Sequence, residues 1–233
     1  MQVYESDDFL TRVKSDNSPL TEADIQSHQY IVKGLNALDL NIPIVSEEDE
    51  NSHKLLQTCD KFWLLDPLDG TKEFIARSHE FTVNIALVEN GKAILGVVYA
   101  PALDLLYCGS QTLGAWFLQN GEKKQLKVCQ PNKAEKLRVV ASKSHLNEET
   151  KAFIEKLGET TLVQFGSSLK ICKIAEGEAD IYPRLGPTCV WDTAAAHAVL
   201  SAAGGEVVGV DSKPLTYNRA EILNPYFIAV TQY

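Results

Sequence analysis

Two rhythms of apolar and polar positions run along this chain. From Thr21 the apolar residues Ile31, Leu35 and Leu38 recur at helical spacing, which predicts an amphipathic helix that starts at Thr21. Short apolar runs at 42–45 and 62–65 predict strands, each followed directly by acidic residues. Residues 81–88 and 93–99 flank Asn90-Gly91, a strong hairpin signal. Runs at 105–108, 115–118 and 125–128 continue the meander, the last two joined through Asn120-Gly121. The first part of the chain therefore reads as a largely antiparallel sheet with a helical layer.

Past Gln130-Pro131-Asn132 the pattern alternates. It predicts a strand at 137–141, a helix at 148–157 stopped by Gly158, a strand at 161–165 and a helix at 168–175. A short strand at 179–182, a helix at 192–203 ended by Gly204-Gly205, and a strand at 206–210 follow. Alternation of this kind implies a second sheet covered by helices, and an α+β chain overall. The expected division is an N-terminal unit, 1–131, and a C-terminal unit, 132–233.

The run from Trp63 to Phe74 begins as an apolar strand and ends in Asp66-Pro67-Leu68-Asp69-Gly70-Thr71. Pro67 and Gly70 are expected to break the strand, so that Asp66 and Asp69 project from a loop at its carboxyl end, where α/β sheets bind ligands. Two hard oxygen donors beside a helix-starting Gly70-Thr71, whose amides can face a phosphate, suit Mg²⁺ and phosphate together. Three more acidic sites fall at element ends: Glu47-Glu48-Asp49-Glu50, Asp192 at the start of an Ala-rich helix, and Thr21-Glu22-Ala23-Asp24. Each has a plain structural explanation as well, since Thr21 and Asp24 fit a capping box, Asp192 a first-turn acid, and the Glu47 run a charged surface loop. The sequence does not show that the four sites converge.

The chain resembles the lithium-sensitive, Mg²⁺-dependent phosphatases of the inositol monophosphatase superfamily, and among them is most similar to the CysQ-type 3'(2'),5'-bisphosphate nucleotidases. The resemblance rests on Lys14 through Asp24, the strand at 42–45 with Ser46-Glu47-Glu48-Asp49, the run Trp63 to Phe74, Gly166-Ser167-Ser168-Leu169-Lys170, residues 182–188, and Trp191 through Ala196. These segments span nearly the whole chain, and the Asp-Pro-Leu-Asp-Gly-Thr and Trp-Asp-x-Ala-Ala motifs are specific as a pair. Members of the family carry a helix before the segment that here begins at Met1-Gln2-Val3-Tyr4, so the chain is expected to start where that helix ends.

The resemblance implies a layered α-β-α-β-α sandwich with its site between the halves. It implies two, or three, Mg²⁺ ions held by Glu47, Asp66, Asp69, Asp192 and the backbone carbonyl of Leu68. Two such ions roughly 3.5–4 Å apart serve in-line phosphoryl transfer to water. Asp24, Glu47 and Thr71 take the catalytic roles, Thr71 orienting the attacking water with Asp24 behind it. Substrate contacts fall to Leu68, Asp69, Gly70, Thr71 and Asp192 at the metal end. Farther off they fall to His145, to Ser167 or Ser168, and to Lys170 and Arg184, the cations for a second phosphate. For Lys170 the plain alternative is an exposed helix lysine; for Arg184, a partner to a nearby acid. The implied substrate is a small bisphosphate nucleotide: adenosine 3',5'-bisphosphate converted to AMP, or its sulfated form to adenosine 5'-phosphosulfate. The runner-up is an inositol or sugar phosphate monophosphatase with the same metal site.

Composition changes this picture little. A net charge of −9 argues against a nucleic-acid polymer as partner, while leaving a small phosphate ester open through bound metal. Five widely spaced cysteines without a Cys-x-x-Cys pair favour reduced, mostly buried thiols over disulfides or zinc. With no secretory signal and no spanning segment, the expected location is the cytoplasm, the alternative being the cytoplasmic face of the inner membrane. Oligomeric state is not readable. An EF-hand is excluded, because Leu68 and Arg77 stand where oxygen ligands are needed. An inactive sulfonucleotide sensor with the same fold has no positive support, since every acid is present.

Overall fold

The structure is a computed structural model, and it describes residues 1–6, 12–13, 19–129, 135–142 and 146–231. In chain order the elements are α1 (Gln2–Glu5), β1 (Arg12–Val13), β2 (Pro19–Leu20), α2 (Glu22–Asn36), β3 (Ile44–Ser46), α3 (Leu55–Thr58), β4 (Lys61–Asp69) and α4 (Thr71–Ile75). β5 (Thr82–Glu89), β6 (Lys92–Ala100), β7 (Leu105–Ser110), β8 (Gly114–Gln119) and β9 (Glu122–Leu126) follow. The remainder is β10 (Leu137–Ser142), α5 (Glu148–Lys156), β11 (Thr160–Phe165), α6 (Leu169–Ala175), β12 (Ile181–Arg184), α7 (Val190–Ala202), β13 (Glu206–Gly209) and β14 (Phe227–Val230).

β3 to β9 form one sheet in sequence order, antiparallel except for the parallel pair β3–β4. The second sheet has the order β11-β10-β12-β14-β13, parallel from β11 to β12 and antiparallel beyond. α7 lies between them, packed on β5, β6 and β7 of one sheet and β13 of the other, with α6 alongside; α2 packs on β4 and α5 on β12. This is the expected α-β-α-β-α sandwich.

α7 sits close because both surfaces are small. Gly96 of β6 pairs with Gly109 of β7. A Cβ on Gly96 would fall 2.0 Å from the Ala195 carbonyl oxygen, and one on Gly109 would fall 2.5 Å from Val199 Cα. The helix answers with Ala194, Ala195, Ala196 and Ala198, all buried. A helix apolar on every side belongs in a core, and this one brings Asp192 in with it.

Several expectations are corrected. β4 does not stop at Leu65 but runs to Asp69, with its register to β5 slipping between Asp66 and Asp69. The bulge accommodates Pro67, because β3, on the other side of β4, pairs only as far as Leu65. Leu38 lies past the end of α2 and is exposed. β9 ends at Leu126, earlier than its predicted span, and α7 begins at Val190 rather than Asp192. β14 has no counterpart in the sequence reading. The short helix α1 docks Tyr4 on Phe74 and Phe81, at centroid distances of 5.1 and 4.9 Å, in a small cluster with Leu68. All five cysteines are free; only Cys172 is fully buried, and Cys129 is exposed.

Candidate active site

The parallel pairing of β3 with β4 brings the first two acidic segments together. Their carboxyl ends point the same way, with Ser46 opposite Leu65, and the Glu47 amide donates to the Leu65 carbonyl at 3.1 Å. Glu47 therefore stands beside Asp66. Asp69 follows across the bulge, and Asp192 enters in the first turn of α7, where the Cys189 amide donates to its Oδ2 at 2.8 Å.

Glu47, Asp66, Asp69 and Asp192 are close enough to act on one another electrostatically. Burial pushes the Asp66 carboxyl well above the usual range, and the charges of Glu47, Asp69 and Asp192 push it further. Asp192 is raised by burial and by the charges of Asp69 and Glu47. Burial raises Asp69 to about 6, against the pull of Lys170 and an amide hydrogen bond from Ser168. Burial and neighbouring negative charge thus make Asp66 and Asp192 costly to ionise, and the cations Lys170 and Arg184 only partly offset this at Asp69 and Asp192. Among the described residues, no three acids, imidazoles or thiols stand close enough together to hold a metal ion as they lie.

Gly70 has φ of +89°, a left-handed conformation that turns the chain from β4 directly into α4. That places Thr71 Oγ1 3.4 Å from Asp24 Oδ1 and 3.4 Å from the Leu68 carbonyl oxygen. Asp24 is buried; its Oδ2 accepts from the Thr21 amide at 2.7 Å and the Thr21 hydroxyl at 2.6 Å. The capping-box explanation is thus correct, but the same carboxylate also reaches Thr71, so one side chain starts α2 and faces the site. Glu48 and Asp49 are half-buried and Glu50 is exposed, with Asp49 capping the turn through the Asn51 amide at 3.2 Å.

A cavity of about 650 Å³ opens beside the acids. Asp69, Gly70, Thr71 and Asp192 line it, and so do Ser167, Ser168, Lys170, Tyr182 and Arg184. Lys170 is 7% exposed, not the exposed helix lysine of the plain alternative. Its Nζ donates to the Ser167 carbonyl at 2.5 Å, and burial lowers its ammonium to about 8 despite the nearby Asp69. Arg184 donates from Nη2 to the Pro187 carbonyl at 2.8 Å, while its buried Nε has no hydrogen-bond partner among the described residues. Among the described residues, no carboxylate stands within salt-bridge distance of Arg184. His145 and the segment 14–18 lie outside the described residues. Glu47, Asp66 and Asp24 do not line the cavity; they back the wall that Asp69, Thr71 and Asp192 present to it.

Sequence reading missed the residues that brace this wall. Thr82 and Asn84, both fully buried on β5, hold the Ser168 hydroxyl between them at 2.9 and 2.8 Å. Thr82 Oγ1 also reaches Asp69 Oδ2 at 3.5 Å. The signal was available: two polar residues share one face of an otherwise apolar strand. Asn224 fixes the turn ahead of Asp192, with its Nδ2 donating to the Cys189 carbonyl at 2.6 Å and Thr193 Oγ1 at 3.0 Å. A lone Asn in an irregular segment gives no sequence signal.

Comparison with known proteins agrees with this architecture. The profile of the inositol monophosphatase family matches residues 1–226. The 3'(2'),5'-bisphosphate nucleotidase CysQ of Escherichia coli O6:H1 is 49% identical over 229 residues, covering 97% of this chain and 92% of that protein. The crystal structure of CysQ from Bacteroides thetaiotaomicron superposes with a TM-score of 0.87 at 40% identity, covering 98% of this chain and 90% of the other. Thermotoga maritima IMPase superposes with a TM-score of 0.77 at 27% identity, covering 95% and 82%. With its two sheets, its central helix and its converging acids, the chain belongs to the inositol monophosphatase family.

Proposed function

We propose that this chain is a 3'(2'),5'-bisphosphate nucleotidase, hydrolysing the 3'-phosphate of adenosine 3',5'-bisphosphate to AMP and phosphate, and of its sulfated form to adenosine 5'-phosphosulfate. The observation that carries this reading is one cavity lined both by the carboxylates of Asp69 and Asp192 and by the cationic side chains of Lys170 and Arg184, with Lys72 also on its wall. The names and high identity of the CysQ relatives support it.

Members of the family are metal-dependent, typically on Mg²⁺. The residues present fit that ion: hard carboxylate oxygens in excess, with Asp66 and Asp192 made costly to ionise by burial and by the neighbouring acids. Glu47, Asp66, Asp69, Asp192 and the Leu68 carbonyl would hold two ions, with a third near Asp24. When bound, Mg²⁺ neutralises the phosphoryl oxygens and stabilises the leaving alkoxide.

The protein's own groups supply the rest. Thr71, whose hydroxyl proton points to Asp24 or Leu68, turns its lone pairs outward and orients the attacking water, with Asp24 setting that rotamer. The amides of Gly70 and Thr71 face the cleaved phosphate. Lys170, Arg184 and Ser167 take the phosphate that stays. Ser168, held by Thr82 and Asn84, shapes the wall. The same acids would serve an inositol or sugar monophosphatase, so specificity rests on the cationic wall.

Asp69→Asn preserves shape while deleting charge. Phosphate release from adenosine 3',5'-bisphosphate at saturating Mg²⁺ should fall by at least about a hundredfold, since the lost stabilisation amounts to several kcal/mol. Substantial turnover by the folded variant would overturn the ligand assignment.

A further inference from the structure

Glu47 and Asp192 come from opposite ends of the chain, and one side chain spans the segments that carry them. His53 follows the short turn after β3. Its Nε2 donates to the Ser46 carbonyl at 3.0 Å, one residue before Glu47. Its ring stacks on Trp191, one residue before Asp192, with centroids 4.9 Å apart and planes tilted by 35°. Both anchors are firm, because Ser46 is 1% exposed and Trp191 4%. Ser46 is pinned on its other atoms as well, its amide donating to Ser52 Oγ at 3.1 Å and its hydroxyl meeting His28 Nδ1 at 2.9 Å. Among the described residues His28 has a hydrogen bond to Ser46 on the Glu47 side, whereas His53 touches both segments.

We propose that His53 is a positioning residue for metal binding: a strut that holds the Glu47 turn and the start of α7 at a fixed separation. This rests on the reading of Glu47 and Asp192 as ligands. Acids that repel one another splay apart unless their backbones are braced. Groups that orient metal ligands without touching the metal typically account for 10- to 100-fold in affinity. Half-buried His53 can be replaced without opening a core cavity.

The test is Mn²⁺ titration of the substrate-free protein, read by loss of the free-ion EPR signal, on wild type, Glu47→Gln, His53→Ala and His53→Phe. The strut predicts that His53→Ala weakens Mn²⁺ binding about 10- to 100-fold, with kcat recovering at saturating Mg²⁺ and the melting temperature in chelator unchanged. His53→Phe keeps a ring against Trp191 but loses the donor, and should show a smaller loss. Wild-type affinity in either His53 variant, with Glu47→Gln weakened, overturns the strut and leaves the ligand set standing. A lower melting temperature in chelator at unchanged affinity would mean that His53 is only a packing residue. Wild-type affinity in Glu47→Gln removes the ligand reading, and the strut with it.

Discussion

At the scale of single residues, the acids that serve the site cost the fold. Asp69 has a native pKa of about 6, above the 3.8 of an ordinary aspartate, so its folded carboxyl keeps a proton that the unfolded chain has lost. Stability from this group is therefore full below the unfolded value and is lost as pH rises through about 6. In chelator, Asp69→Asn should melt higher than wild type, and the gain should be larger at about pH 7.5 than at about pH 4. For a chain of this size about 1 kcal/mol moves the melting temperature by about 2–4 °C, well within reach of calorimetry. Equal melting temperatures of variant and wild type at both pH values would mean that burial does not hold the Asp69 carboxyl above its unfolded value. The identities of these acids could be read from motifs, but their mutual repulsion could not, because it depends on strands pairing across gaps in sequence.

At the scale of elements, the seat of α7 decides where Asp192 stands. Gly96→Ala would drive a methyl group into the Ala195 carbonyl and should cost about 1–3 kcal/mol through overpacking, lowering the denaturant midpoint and activity together. Gly34→Ala is the contrast: it lies inside α2 with nothing within 4 Å of the added carbon, and should stabilise by about 0.5–1 kcal/mol. A Gly96→Ala protein as stable and active as wild type would show that α7 can shift without consequence. Periodicity located most elements, because the helices carry caps and the hairpins carry Asn-Gly turns. It failed at β4, where Pro67 reads as a breaker and is instead absorbed by a bulge in a strand paired on one side only at that point. It failed again at β14, a four-residue strand after a stretch that contains Pro214, Asn218 and Pro225.

At the scale of the whole molecule, two sheets enclose a helix, and the cavity draws its wall from both. β4 brings Asp66 and Asp69, the end of β3 brings Glu47, and α7 brings Asp192. α6 brings Lys170 and β12, a strand of the second sheet, brings Arg184. The sequence pointed to both sets of residues; it did not reveal that Lys170 is buried in the cavity wall, since a lysine two residues after Gly166-Ser167-Ser168 has no amphipathic signature of burial. Among the described residues no helix is long and apolar enough to cross a membrane.

The central claim is that this wall reads a second phosphate. It is tested most directly by the ratio of kcat/KM for adenosine 3',5'-bisphosphate to that for inositol 1-phosphate, in wild type and in Lys170→Ala. A charge-assisted contact of this kind contributes about 1.5–3 kcal/mol, so the ratio should fall roughly tenfold to a hundredfold, with the monophosphate rate nearly unchanged. If both substrates lose the same factor, Lys170 serves the fold or the carboxylate cluster, and the nucleotidase reading loses its physical basis.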